Sequence, residues 1–245
     1  MINIDDEGVI INVFPSGEYG AVLCLLSREH GIVKGYVRHL KKGRPEGRVY
    51  HLSNRVSFQW RSRLEDNLGN IKASLITEYA PRFINDKIKM TIIMATAAMI
   101  YASFKEFERL TDFYDRTVDL LSNPTAIDYL RWELLLLKET GFGLDLSKCA
   151  VTGKRDDLLY VSPKSGRAVS KDAASPYVRY LLPLPSFLIN DGDDASDDDI
   201  KKAFALSGYF LRKHIFVDKK IPEIRTVLEE YLLKKKDLVY NHPYP

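Results

Sequence analysis

Residues 8–37, GVIINVFPSGEYGAVLCLLSREHGIVKGYV, decide the fold of the first part of the chain. They contain three short runs rich in β-branched and apolar residues, separated by turn residues such as Ser16-Gly17 and Glu29-His30-Gly31. Two similar runs follow, at 56–60 and 71–76. Five such runs within about 70 residues predict a small closed β-barrel at residues 1–80.

The sequence pattern changes after residue 80. Apolar residues recur at helical spacing in three segments, 84–107, 111–121 and 125–140, and two later helices are predicted, the last over 222–235. Residues 146–180 have the turn-rich composition of a compact insertion. The predicted fold class is therefore α+β multidomain, with a barrel at 1–80 and an α-helical domain at 81–245 that contains the insertion.

The composition is that of an ordinary soluble protein. Hydrophobic residues make up 45% of the 245 residues and charged residues 28%, which argues against a disordered or fibrous chain. The acidic N-terminal segment has no secretory signal pattern. The longest apolar stretch, 90–104, has 15 residues, fewer than the roughly 20 that a membrane-spanning helix needs. These observations predict a cytoplasmic protein with no membrane partner.

No pattern typical of catalysis stands out. The segment 43–47 has two glycines but lacks the Lys-[ST] pair of a phosphate-binding loop, and the five histidines are scattered. Aspartates cluster only at 191–199, where a solvated loop is the ordinary interpretation. The sequence therefore favours a binding protein with no catalytic residues and no cofactor.

The strongest positive signal is the basic stretch 28–63. It has ten Lys or Arg and two Glu, a local charge of +8, although the formal net charge of the whole chain is only +3. Aromatic residues are interleaved with the cations, and OB-fold barrels hold single strands with a basic groove and aromatic platforms. The candidate DNA-binding residues are Arg28, Lys34, Tyr36, Arg38, Lys41, Lys42, Arg44 and Arg48.

A structural interpretation competes with this one. Phe58 and Trp60 share a strand face with Val56, which is the pattern of barrel core, and the charges could be its solvated face. We prefer the core interpretation for Phe58. For the loop cations of 41–48 we prefer phosphate binding, because such a cluster adds little stability to a flexible loop.

Cys149 begins the sequence CAVTG, which has the form of half a C-x-x-C knuckle. Thr152 stands where the second cysteine would be, and Ser170 and Ala173 stand at the same spacing downstream. A tetrahedral zinc site needs four sulfur or imidazole ligands, so we expect no metal here. Cys24 lies in an apolar run and is expected to be a buried free thiol.

Taken together, these motifs resemble the RecO family of bacterial recombinational repair proteins. The resemblance rests on four segments in the family's order: GEYG at 17–20 with LSREHG at 26–31, LRWELLLL at 130–137, GFGLDL at 141–146 followed by Cys149, and SPKSGRAVS at 162–170. The chain departs from the family at the knuckle, where many members have four cysteines. Zinc dependence is therefore not carried over.

The resemblance implies an N-terminal OB-fold and a helical domain with a degenerate zinc-knuckle-like insertion. It also implies binding to single- and double-stranded DNA and annealing of complementary strands. The implied partners are RecR and the C-terminal tail of the single-stranded-DNA-binding protein SSB, with RecA loaded indirectly onto SSB-coated gaps. Such a protein would be cytoplasmic and associated with the bacterial nucleoid.

The resemblance also directs attention to Arg131. A tail that ends in an acidic, aromatic segment needs a cation for its terminal carboxylate, and guanidinium binds carboxylate bidentately. Arg131, in the helix predicted at 125–140, is the candidate partner-binding residue. An Arg paired with Asp128, or with neighbours of Glu133 on the helix surface, is an equally good interpretation.

Two other functions stay open. A scaffold whose barrel binds protein would show DNA affinity without strong salt dependence. A metal-dependent nuclease would use the aspartates that follow Asn190, and a cleavage assay on labelled single strands would reveal it.

Overall fold

The computed structural model describes residues 2–38, 45–63, 68–108, 110 and 112–233. The chain divides into two compact units, Met1–Pro124 and Thr125–Pro245, which are treated separately below. We call them unit 1 and unit 2.

Unit 1 begins with a closed five-stranded β-barrel of the OB-like type, which confirms the barrel predicted from the sequence. Around the barrel the strands run in the order β1-β2-β3-β5-β4, and only the β3–β5 pair is parallel. The strand bounds are Ile2–Ser16 (β1), Gly20–Ser27 (β2), Gly31–Arg38 (β3), Arg55–Ser62 (β4) and Gly69–Thr77 (β5).

The barrel core follows from strand alternation. In β4, Val56, Phe58 and Trp60 point inward and are at most 2% exposed, which confirms Phe58 as core. The Trp60 indole Nε1 donates to the carbonyl of Lys34 at 2.8 Å, so its polar atom is satisfied inside the barrel. A Cβ on Gly69 would lie 2.2 Å from Trp60, so the indole packs directly on the β5 backbone.

Unit 1 continues past the barrel with two helices, α1 at Lys87–Ser103 and α2 at Phe113–Ser122. The side chain of Asp86 caps α1 by accepting from the Lys89 backbone N–H at 3.0 Å. Because α1 packs against β1, the compact unit reaches Pro124, whereas composition suggests a change of domain at residue 80. That boundary stays a prediction.

The apolar stretch 90–104 lies mostly in α1, and eight residues of this helix are buried. Within the described residues, no helix is both long and apolar enough to cross a membrane.

Unit 2 combines helices with a small sheet. Its main helices are α3 at Ala126–Glu139, α5 at Asp197–His214 and α6 at Glu223–Leu233. Between α3 and α5, where a compact insertion was predicted, three short strands pair in the order β7-β6-β8. Their bounds are Leu158–Val161 (β6), Ala168–Ser170 (β7) and Leu182–Pro183 (β8), and the one-turn α4 spans Lys171–Ala174.

A buried ion pair joins the three helices of unit 2. Arg225 of α6 donates through Nε to Glu133 Oε1 of α3 at 2.6 Å, and the two side chains are 2% and 0% exposed. Ser207 of α5 donates to Glu133 at 2.6 Å and accepts from Arg225 at 3.0 Å. The charges and the hydroxyl therefore satisfy one another away from water.

Candidate nucleic-acid interface

A groove of about 740 Å³ lies on unit 1 where β3, β4 and β5 meet. Its lining residues are Tyr36, Val37, Arg38, Tyr50, Arg61, Ser62, Arg63, Leu68, Asn70, Ile71 and Lys72. We call it the barrel groove. Among these described lining residues, four are cations and none is a carboxylate, a charge distribution that favours an anionic ligand.

Strand alternation sets this chemistry. Trp60 and Ile71 point into the core, so their neighbours Arg61 and Lys72 are exposed on the outer face. The register pairs Arg61 with Asn70 across β4 and β5, and the short parallel pairing of β3 with β5 puts Tyr36 beside Asn70. Residues that are distant in sequence therefore share one surface.

Two tyrosines complete the groove. Tyr36 is half-buried and lies against Gly20, where a Cβ would be only 2.0 Å from its hydroxyl oxygen. Burial raises the pKa of Tyr50, which is partly buried and packs against the barrel core. Both rings are therefore held by the barrel, as suits a stacking platform.

The cations of the basic stretch, taken together with Lys72, fall into two groups. In the part of the chain that the structure describes, Arg38, Arg48, Arg61, Arg63 and Lys72 have no ion pair with a carboxylate. Arg28, Lys34 and Arg55, in contrast, are paired with carboxylates of unit 1. All four cations that line the groove are therefore unpaired, whereas the unpaired Arg48 lies outside the groove lining.

The paired cations have close partners. Arg28 lies 2.8 Å from Glu7 and 3.2 Å from Asp115, and Lys34 Nζ lies 2.9 Å from Glu106. The Asp115 charge raises the pKa of Arg28, and the hydrogen bond with Glu106 raises that of Lys34. A phosphate at either cation would compete with a carboxylate already bound, so these two candidates rank below the groove cations.

The remaining predicted DNA-binding residues are placed differently. Arg38 and Tyr36 line the groove. Arg48 is exposed on the 3₁₀ helix Pro45–Tyr50, and its carbonyl accepts from Asn54 at 2.7 Å. Lys41, Lys42 and Arg44 lie outside the described residues, and their phosphate contact stays a prediction.

Three groove residues were missed as site residues. Arg61 and Arg63 were counted in the basic stretch but not selected, and Lys72 lies beyond it. Alternation offered a signal, since Arg61 and Lys72 each follow a core residue in a strand.

Arg131 is anchored within unit 2. Its Nε donates to the carbonyl of Phe187 and its Nη2 to that of Asn190, both at 2.8 Å, and its Nη1 lies 3.6 Å from Asp191. These partners differ from both structural alternatives considered above. The guanidinium fixes the segment 187–191, and a docking carboxylate would have to compete with those contacts.

The Cys149 thiol has three hydrogen-bond donors around it. Ser170 donates its N–H and its hydroxyl to Sγ, both at 3.3 Å, and Thr152 donates its N–H at 3.5 Å. Burial opposes ionisation, but these bonds outweigh it and lower the pKa of Cys149 to about 6.

This site does not fit zinc. Thr152 and Ser170 hydrogen-bond to Sγ from the positions where ligand cysteines would stand, and Ala173 offers no ligand atom. No group of three His, Cys, Asp or Glu able to hold a metal occurs in the described parts of the chain. Cys24 is fully buried as expected, and burial raises its pKa to about 12.

Comparison with known proteins finds family models and relatives that all carry the same family name. Residues 1–79 match the family model described as "Recombination protein O N terminal", and residues 85–221 match "Recombination protein O C terminal". The chain is 35% identical over 238 residues to the "DNA repair protein RecO" of Rickettsia bellii, which covers 96% of this chain and 98% of that protein. It is 35% identical over 236 residues to the protein of that name from Rickettsia rickettsii, with 95% and 99% covered.

Proposed function

The chain belongs to the RecO family of DNA repair proteins, and we propose that its barrel groove binds the phosphate backbone of single-stranded DNA. The single observation that supports this most is the state of the groove cations, since Arg38, Arg61, Arg63 and Lys72 share the groove with two tyrosines and have no described carboxylate partner. Phosphate contacts supply affinity without sequence preference, and aromatic platforms stack on any base.

Annealing follows from the same chemistry. The Lys and Arg side chains of the groove screen the phosphates of two strands. This screening lowers the repulsion between the strands and raises the local concentration of complementary bases. Double-stranded DNA offers the same phosphates and binds through the same cations. The proposed activity needs no bond cleavage, no nucleotide hydrolysis and no cofactor, so we propose a mediator and not an enzyme.

The family's wider role is part of the proposal. We propose that the protein works with RecR and helps to load RecA onto SSB-coated DNA, with the SSB tail as a docking partner. Arg131 as the residue that holds the tail stays a prediction, and its contacts with Phe187 and Asn190 favour a structural role.

Matched variants test the groove. Arg61→Ala/Lys72→Ala removes one Arg and one Lys from the groove, and Arg28→Ala/Lys34→Ala removes the same charges from paired positions. The long-range electrostatic change is therefore the same in both. We expect the groove variant to bind fluorescent single strands more weakly and to anneal complementary strands more slowly than the paired-cation variant.

Equal loss in the two variants would mean that bulk charge, and not the groove, determines binding. A scaffold function would leave annealing unchanged in both. Labelled single strands incubated with Mg²⁺ and parent protein should stay intact, because cleavage would establish a nuclease.

A further inference from the structure

Unit 2 exposes an aromatic turn that the proposed groove does not use. Residues 175–180, SPYVRY, are six consecutive exposed residues. Tyr177 and Tyr180 are each 61% exposed, the highest fraction for any aromatic side chain in the described residues, and Val178 is 43% exposed. A contiguous group of exposed apolar side chains marks a contact site more often than a single exposed apolar side chain does.

The turn is ordered by its own backbone. The Tyr177 N–H donates to the carbonyl of Ala174 at 2.7 Å, and the Tyr180 N–H donates to the carbonyl of Tyr177 at 2.8 Å. The second bond closes on the 3₁₀ helix Val178–Tyr180, of which Tyr177 is the N-cap. One backbone hydrogen bond therefore joins the two tyrosines.

The local charge is positive. The Arg179 guanidinium lies 4.6 Å from the centroid of the Tyr180 ring, a cation–π contact that fixes the ring beside a positive charge. The sequence has no Asp or Glu from residue 173 to residue 190, and Arg179 is the only charged residue there. Two exposed rings thus stand beside a cation in a segment with no carboxylate.

We propose that the segment 175–180 is a second contact for single-stranded DNA, in which bases stack on Tyr177 and Tyr180 and Arg179 faces the phosphates. The proposal rests on the proposed function, since it assumes that this chain binds single strands. The flat tyrosine rings can stack on nucleobases, and the positive charge of Arg179 attracts the negatively charged phosphates of the strand. A protein partner is the other occupant that such a surface could take, and the experiment distinguishes it.

The test uses the full chain and two double variants. Tyr177→Ala/Tyr180→Ala removes the rings, and Tyr177→Phe/Tyr180→Phe keeps them. Because both tyrosines are largely exposed, neither variant should disturb the fold, which circular dichroism checks. We expect the Ala variant to bind oligothymidylate about tenfold more weakly or worse, and the Phe variant to bind like the parent.

Stacking also predicts a dependence on the bases themselves. On an abasic strand of the same length, all three proteins should bind equally, because no base is present to stack. Iodouracil-substituted oligothymidylate should photocrosslink to Tyr177 or Tyr180, as mapped by mass spectrometry of the parent protein.

The outcomes separate this inference from the groove. Unchanged affinity in the Ala variant, with no crosslink at either tyrosine, overturns the inference and leaves a protein partner for the turn. If Arg61→Ala/Lys72→Ala then still binds single strands weakly, the proposed function of the barrel groove stands without the second contact at 175–180. Loss of affinity in the Ala variant but not in Arg61→Ala/Lys72→Ala would support the turn and contradict the groove.

Discussion

Among single residues, Gly17 and Gly31 allow two costs of an Ala substitution to be compared: backbone strain alone, and backbone strain together with a steric clash. Gly31 has φ of +66°, and a Cβ there would lie 1.8 Å from the Glu108 carbonyl oxygen, whereas Gly17 has φ of +69° and open space. Gly17→Ala should therefore cost about 1–2 kcal/mol, the left-handed penalty. Gly31→Ala should cost more, about 3 kcal/mol or above, because the backbone must also shift. Urea unfolding of both variants checks this, and equal losses would contradict the packing at Gly31.

Cys149 gives a prediction about pH. Its folded pKa of about 6 lies below that of an unfolded thiol, about 8.5, so ionisation stabilises the fold. This stabilisation is fully present above pH 8.5 and is lost as pH falls through about 6. The difference in unfolding free energy between parent and Cys149→Ser should therefore grow in favour of the parent as pH rises across that window.

A pH-independent difference would mean that the hydrogen bonds from Ser170 and Thr152 do not hold a thiolate. Elemental analysis of the same samples should show no stoichiometric zinc, and below about pH 6, where the thiol is neutral, Cys149→Ser should cost little beyond ordinary packing loss. Stoichiometric zinc would overturn the interpretation of this site as metal-free.

The sequence could identify core residues better than site residues. Phe58 was assigned correctly because alternation is a local property of one strand. Which cations are paired could not be read from the basic stretch, because their partners come from elsewhere. Glu7 belongs to β1, Glu106 follows α1 and Asp115 lies in α2, so only the fold brings them to Arg28 and Lys34.

Among the secondary-structure elements, β1 shows the limit of pattern reading. The first apolar run of the segment 8–37 was recognised, but β1 begins at Ile2 because its polar first half pairs with β4. Asp6 in this half accepts hydrogen bonds from the Ser27 hydroxyl, the Glu29 N–H at 3.0 Å and His30 Nδ1 at 3.1 Å. A polar side chain that is satisfied by a distant turn gives no apolar alternation to detect.

The helices of unit 2 depend on the buried pair of Glu133 and Arg225. Arg225→Ala leaves a buried carboxylate without its partner and should lower the unfolding free energy by about 3–5 kcal/mol. Lys202→Ala, which removes an exposed partner of Asp198 one turn away in α5, should cost about 0.5 kcal/mol or less. Denaturant unfolding monitored by circular dichroism measures both. Similar losses would show that burial adds nothing to the α3–α6 pair.

Over the whole molecule, charge placement is more informative than net charge. The chain has 36 Lys or Arg and 33 Asp or Glu, a balance that alone predicts no nucleic-acid binding. Unit 1 neutralises Arg28, Lys34 and Arg55 with its own carboxylates, while the described residues that line the groove include no carboxylate. The chain belongs to the RecO family of DNA repair proteins, and this placement of charge is the basis on which we propose the groove as its DNA-binding surface.

The salt dependence of single-strand binding tests that role most directly. Each phosphate contact contributes about 0.7 to the slope of log affinity against log salt concentration on single strands. Arg61→Ala/Lys72→Ala should therefore flatten the slope by about 1.4, and the matched Arg28→Ala/Lys34→Ala should leave it close to that of the parent. An unchanged slope in the groove variant, or equal flattening in both, would contradict phosphate binding in the barrel groove.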